Sequence, residues 1–225
     1  MRDRFTYEIE TLKQHLLDLA TAAENALIRA MRAVDRPDAD SAREIIARDA
    51  AIDADEVTIE EECLKLMALY QPVAGDLRLL VTILKVNGEL ERVADLAANI
   101  AARAIDIAAL TPPPEQTFDF TPMLTRAHRM LRGALDAFVC HRSDQARTIL
   151  LEDDAVDALN AAHYADARER LLKNPAQAGY TLDCVTISHA IERIADIATN
   201  ICEDVIYLEE GQIVRHSANI GARSL

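Results

Sequence analysis

Phe5, Ile9, Leu12, Leu16, Leu19, Ala23, Ala26 and Ala30 step along the chain by fours and threes. That spacing lays a narrow apolar stripe along one side of a long helix packed nearly parallel to its neighbours. The helix is predicted to end near Arg36-Pro37, because proline disfavours helical backbone at the residue before it. A second helix is expected from about Asp38 to Tyr70, ended by Gln71-Pro72, and a third from about Val73 to Leu110. Pro112, Pro113 and Pro114 cannot continue a helix, so 111–116 reads as a linker. After it the stripe begins again at Phe120, Leu124, Ala127, Leu131, Ala134 and Phe138. A helix is expected from about Ser143 to Leu172, broken at Asn174-Pro175. The last should run from about Ala176 to Glu210 and stop at Gly211, with 212–225 as a loose tail.

The two halves also match in letters. Glu91–Ile100 and Glu192–Ile201 share seven of ten residues at an offset of 101, and Asp49–Asp53 parallels Asp153–Asp157 at an offset of 104. An internal duplication explains both. The expected architecture is all-α: two tandem three-helix bundles, residues 1–110 and 117–211, with six long antiparallel helices.

Composition agrees. The chain has no Trp, only 6 Gly and 50% apolar residues, which suits helices better than sheets. Its formal charge of −14 repels nucleic acid and anionic membrane faces and attracts cations and basic partners. No stretch approaches the ~18 uncharged apolar residues of a membrane span, so no membrane insertion is expected. The N-terminus lacks the apolar core of a signal peptide, which points to the cytoplasm. Cys63, Cys140, Cys184 and Cys202 form no CxxC pair and lie in apolar helical stretches, as reduced, buried thiols do.

Acid pairs four apart carry the candidate chemistry. With 38 Asp and Glu in the chain, chance alone gives about six such pairs, and on a helix they would share a solvated face. Here they recur at matched places in both halves, on two helices of each half, beside the apolar stripes. Asp49, Asp53, Glu91 and Asp95 form one set, and Asp153, Asp157, Glu192 and Asp196 the other. Four carboxylates near a core repel unless a cation joins them, and such a donor set suits hard or borderline ions. The other reading is salt-bridged or surface acids. His189 lies on the face of Glu192, either as a nitrogen ligand or as an ordinary hydrogen-bonding histidine. Arg92 and Arg193 follow the paired glutamates, as ion-pair partners or as contacts for phosphate. Asn99 and Asn200 lie four past the aspartates. GxxxxGK[ST], GxGxxG, HExxH and ExxH are all absent, and a helical di-iron oxidase normally needs the last.

At Gln71–Arg78, Glu89–Asp95 and Ile191–Glu203 the sequence resembles the PhoU family of phosphate-transport accessory proteins, over about residues 3–210. The resemblance implies two three-helix bundles and multinuclear clusters of iron, or of Mn, Mg, Zn or Ca, on the E/DxxxD motifs, which fall on the eight acids above. It implies a non-enzymatic regulator of phosphate uptake and signalling that represses the phosphate regulon when phosphate is plentiful. The implied partners are the phosphate sensor histidine kinase and the ATPase subunit of the phosphate ABC transporter, and a homodimer is expected. The sequence departs from the family at Ile197, where His is usual, and at Ala94 and Ala195, where Gly is usual. Two other classes stand beside this reading: a metal-dependent helical oxidase or phosphatase, and a metal-free helical scaffold.

Overall fold

The computed structural model describes residues 2–111 and 117–214. Residues 112–116 of the expected linker and 215–225 of the expected tail lie outside the described residues. Among those described there is no strand. The helices are α1 (Arg2–Asp35), α2 (Ala39–Tyr70), α3 (Ala74–Ala108), α4 (Thr121–Val139), α5 (Ser143–Leu150), α6 (Asp153–Lys173) and α7 (Ala178–Glu210), with a short 3₁₀ turn at Pro175–Gln177. None is long and apolar enough to cross a membrane.

The stripes behave as their period predicts. Ile9, Leu12, Leu16, Leu19, Ala23 and Ala30 of α1 are buried, as are Ala127, Leu131, Ala134 and Phe138 of α4. Local chemistry sets the helix ends. Asp38 caps α2, its Oδ1 accepting from the N–H groups of Asp40 and Ser41 at 3.1 and 3.0 Å. Gln71 then turns left-handed at φ 46° to close α2, and Ala74 follows at φ 50° before α3 rises. Gly211, at φ 68°, ends α7.

The middle helix of the second half is not continuous from Ser143 to Leu172. It breaks at Leu151-Glu152, which sit at ψ −8° and −14°. There the backbone tightens to three-residue hydrogen bonds: Leu151 N–H to Thr148 O at 3.3 Å, Glu152 N–H to Ile149 O at 2.9 Å, and Ala155 N–H to Glu152 O at 3.2 Å. Gly133 of α4 leaves room for Ile149, whose Cδ1 would lie 3.0 Å from a Cβ placed there. Gln145 Nε2 donates to Gly133 O beside it.

Within each half the last helix is the hub: α1 and α2 pack on α3, and α4, α5 and α6 pack on α7. The two hubs then pack on each other. Their cross-contacts run in opposite directions along the chain. Arg78 Nε donates to Leu208 O at 3.2 Å, Lys85 Nζ meets Asp204 Oδ1 at 2.8 Å, Asn200 Nδ2 donates to Glu89 Oε1 at 3.1 Å, and Arg103 Nη1 meets Asp183 Oδ1 at 3.2 Å. Antiparallel docking of two matched helices places a pseudo-twofold axis between the repeats, near Asp95 and Arg193.

One expectation about the cysteines needs correction. Cys63, Cys184 and Cys202 are buried free thiols, but Cys140 is exposed. It stands just past the end of α4, where the chain has left the apolar stripe for a turn.

Candidate metal centres and the cleft between the repeats

In the first repeat, α2 carries Asp49 and Asp53 and α3 carries Glu91 and Asp95. Burial, then the charges of Asp53 and Asp95, raises the Asp49 carboxyl above its ordinary range. Burial also raises Glu91, followed by repulsion from Asp95, Asp53, Glu56 and Asp49. The four acids singled out in the sequence therefore share one electrostatic neighbourhood. Glu56 joins them, one turn beyond Asp53, and its own carboxyl is raised by burial and then by Glu60 and Asp53.

The second repeat shows the same crowding. Asp153 is pushed up to about 6, by burial first and then by Asp157, Asp196, Asp154 and Glu192. The break before α6 puts Asp153 and Asp154 in that helix's first turn, where the N–H groups and the dipole favour negative charge. Burial and crowding outweigh that help. The Oδ1 of Asp153 is fully buried and accepts no hydrogen bond. Burial, then Asp157, raises Asp196, against the opposing pull of Arg193 and His189. His189 Nδ1 lies 3.0 Å from Glu192 Oε2, three residues on along the same helix.

These donors are all carboxylates, and among the described residues no Lys or Arg forms a direct ion pair with any of the eight. Among the described residues, no three His, Cys, Asp or Glu side chains converge tightly enough to hold an ion. The chemistry of the set fits a hard or borderline cation. Coordination requires carboxylates to rotate inward from the positions they take here.

Between the repeats lies a feature that spacing alone did not reveal, a cleft of about 490 Å³ on the pseudo-twofold axis. Arg92 and Arg193, Asp95 and Asp196, and Asn99 and Asn200 face it. Leu96 and Ile197 complete its lining. Every one of these pairs is related by the duplication offset of 101. The sequence singled out the arginines and asparagines singly; only antiparallel docking of α3 on α7 brings them together. Glu89, which the sequence left unassigned, is anchored beside the cleft by Asn200 and by Arg92 Nη1 at 3.4 Å.

Two similar helical repeats, hub against hub, each with an acid set on its last two helices, define a tandem-repeat all-α protein rather than a bundle built around one central pocket. The PhoU domain model matches residues 16–104 and again 120–205, and the chain belongs to the PhoU family. It is 34% identical over 209 residues to the phosphate-specific transport system accessory protein PhoU homolog of Aquifex aeolicus, covering 93% of this chain and 94% of the relative. It is 30% identical to the phosphate-specific transport system accessory protein PhoU of Escherichia coli K12, covering 95% of this chain and 88% of that protein. The crystal structure of PhoU from Pseudomonas aeruginosa superposes with a TM-score of 0.88 at 31% identity, over 92% of this chain and all of that one. The phosphate transport system regulatory protein PhoU from Streptococcus pneumoniae gives 0.82 at 30% identity, over 93% and 99%.

Proposed function

We propose that this chain is a non-enzymatic, cytoplasmic regulator of phosphate uptake, which acts as an accessory to the phosphate transport system. The observation that carries the reading is the family match across both repeats, with relatives of that name aligned over more than nine-tenths of the chain. In phosphate-rich conditions it holds the phosphate regulon off, through contacts with the ATPase subunit of the phosphate ABC transporter and with the phosphate sensor histidine kinase. It acts as a homodimer. The net charge of −14 favours basic partner faces and speeds encounter with them.

The two acid sets hold metal clusters in this reading, iron first, with Mn, Mg, Zn or Ca as the other fits. Asp49, Asp53, Glu91 and Asp95 serve the first repeat, and Asp153, Asp157, Glu192 and Asp196 the second. A bound cation supplies charge neutralisation and a bridge between two helices. The raised carboxyls and the unpartnered Asp153 oxygen support this assignment. The physiological test is deletion. A strain lacking this gene, with no second copy, is expected to express the phosphate-starvation response in phosphate-rich medium. Normal repression in that strain overturns the regulatory reading.

A further inference from the structure

The cleft on the pseudo-twofold axis has a charge arrangement that ordinary helix packing does not call for. Two guanidiniums, from Arg92 and Arg193, face one space. Arginine stays charged at any working pH and presents a planar fork suited to oxyanions. Arg193 forms no direct ion pair among the described residues, and Arg92 has only the 3.4 Å contact to Glu89. Asn99 adds an amide donor from α3, while the Asn200 amide on α7 already donates to Glu89 Oε1 at 3.1 Å.

Asp95 and Asp196 oppose this. They bring the four charged groups facing the cleft to zero, and two carboxylates at its wall repel an anion. Yet each belongs also to an acid set, Asp95 with Asp49 and Glu91, Asp196 with Asp153 and Asp157. Two divalent cations clustered on one set balance its four carboxylates and remove the opposing charge at the edge of the cleft. Only then do the arginines act unopposed.

We propose that the cleft between α3 and α7 binds a small tetrahedral oxyanion, inorganic phosphate, between Arg92 and Arg193, and that it does so only when the flanking acid sets carry metal. The proposal rests on the metal reading above. Its symmetry has a use: one anion on the axis touches equivalent groups of both repeats, so occupancy of either metal site is felt at one point. Coupling of this kind is reciprocal, and phosphate must strengthen metal retention by the factor by which metal strengthens phosphate binding.

The test is equilibrium dialysis of the full chain with labelled inorganic phosphate, loaded with Mn²⁺ or stripped by chelator, with manganese per chain read by elemental analysis. The loaded protein is expected to bind phosphate and the stripped protein not to. Arg92→Gln and Arg193→Gln should each weaken phosphate binding by about tenfold or more, as loss of a charge-assisted hydrogen bond does, and leave manganese content and melting curve unchanged. Both side chains are exposed, so neither substitution disturbs the core. Loaded protein that binds no phosphate, equal binding by stripped protein, or undiminished binding by the double variant overturns the proposal while the metal reading stands. Protein that takes up no manganese or other divalent ion overturns both.

Discussion

Lys85 of α3 reaches across the seam between the repeats to Asp204 of α7, Nζ to Oδ1 at 2.8 Å, with its ammonium 5.1 Å from the centre of the Tyr207 ring. The two ends of this pair are not equivalent. The Lys85 side chain keeps 34% of its exposure, the Asp204 side chain 3%. Removing the lysine takes a charged partner from a buried carboxylate, whereas removing the carboxylate leaves a lysine that water can reach. Lys85→Ala is therefore expected to cost about 3 kcal/mol, as breaking a buried pair does. Asp204→Asn, which keeps a polar group in place, should cost about 1 kcal/mol. Urea unfolding of both variants reads the difference, and equal losses contradict the asymmetry.

A second pair of matched positions lies deeper. Asn87 in α3 is fully buried and donates to Glu56 O at 2.9 Å and Glu56 Oε1 at 3.1 Å. At the same place in the second repeat stands Ser188, also fully buried, whose hydroxyl donates to Asn160 Oδ1 at 2.9 Å. A hydroxyl has one proton, so His163, whose Nδ1 lies 2.8 Å away, must be the donor to Ser188. Each repeat thus carries a polar layer inside an apolar core at this level. Ser188→Ala leaves that ring without its acceptor and Asn160 without its donor. It is expected to destabilise by about 1–3 kcal/mol, and Asn87→Ala by at least as much, read as the shift of the thermal midpoint.

The acid sets make a prediction separable from the cleft. Mn²⁺ or Fe²⁺ at about 100 times its Kd should stabilise the fold by about 2.7 kcal/mol through mass action. In a chain of this size that raises the midpoint by roughly 5–10 °C. Asp49→Ala should remove the metal of the first repeat only, and Asp157→Ala that of the second only. Melting curves at several metal concentrations, with elemental analysis of each variant, check both statements. Metal content unchanged in Asp49→Ala removes Asp49 from the ligand set.

The thiols divide cleanly. Burial pushes Cys63, Cys184 and Cys202 up to about 12, so almost no thiolate exists at pH 8, and the protein covers what there is. Cys140 is exposed. A disulfide reagent at pH 8 should label one thiol per folded chain and four in denaturant, and Cys140→Ser should abolish the folded-state labelling. A second reactive thiol in the folded protein would place one of the buried three at the surface.

How far the fold was legible follows from what periodicity encodes. The stripe from Ile9 to Ala30 and its repeat from Ala127 to Phe138 predicted the right buried faces, because a helix side is a local property. Asp38, Gln71-Pro72 and Gly211 marked helix ends for equally local reasons. The break at Leu151-Glu152 has no Gly or Pro to announce it, and beside it Ile149 packs where Gly133 lacks a Cβ, a contact set by tertiary structure. The acids were legible because duplication printed them twice. The cleft was not, since its members meet only through the antiparallel docking of α3 on α7, and Glu56 was missed because its first-repeat position answers to Asn160, which carries no charge.

The hub-on-hub arrangement also imposes an order on biosynthesis. The first repeat is complete once Ala108 has been made, but the helix it must dock against ends only at Glu210. At roughly 5–20 residues per second the ribosome needs about 5–20 s to make the intervening stretch, far longer than a three-helix unit takes to collapse. Throughout that wait the α7-facing flank of α3 meets solvent, chaperones and the nascent chains of neighbouring ribosomes. A neighbour's α7 that arrives first can take the place of the chain's own, and two polypeptides then leave the ribosome exchanged at their seams.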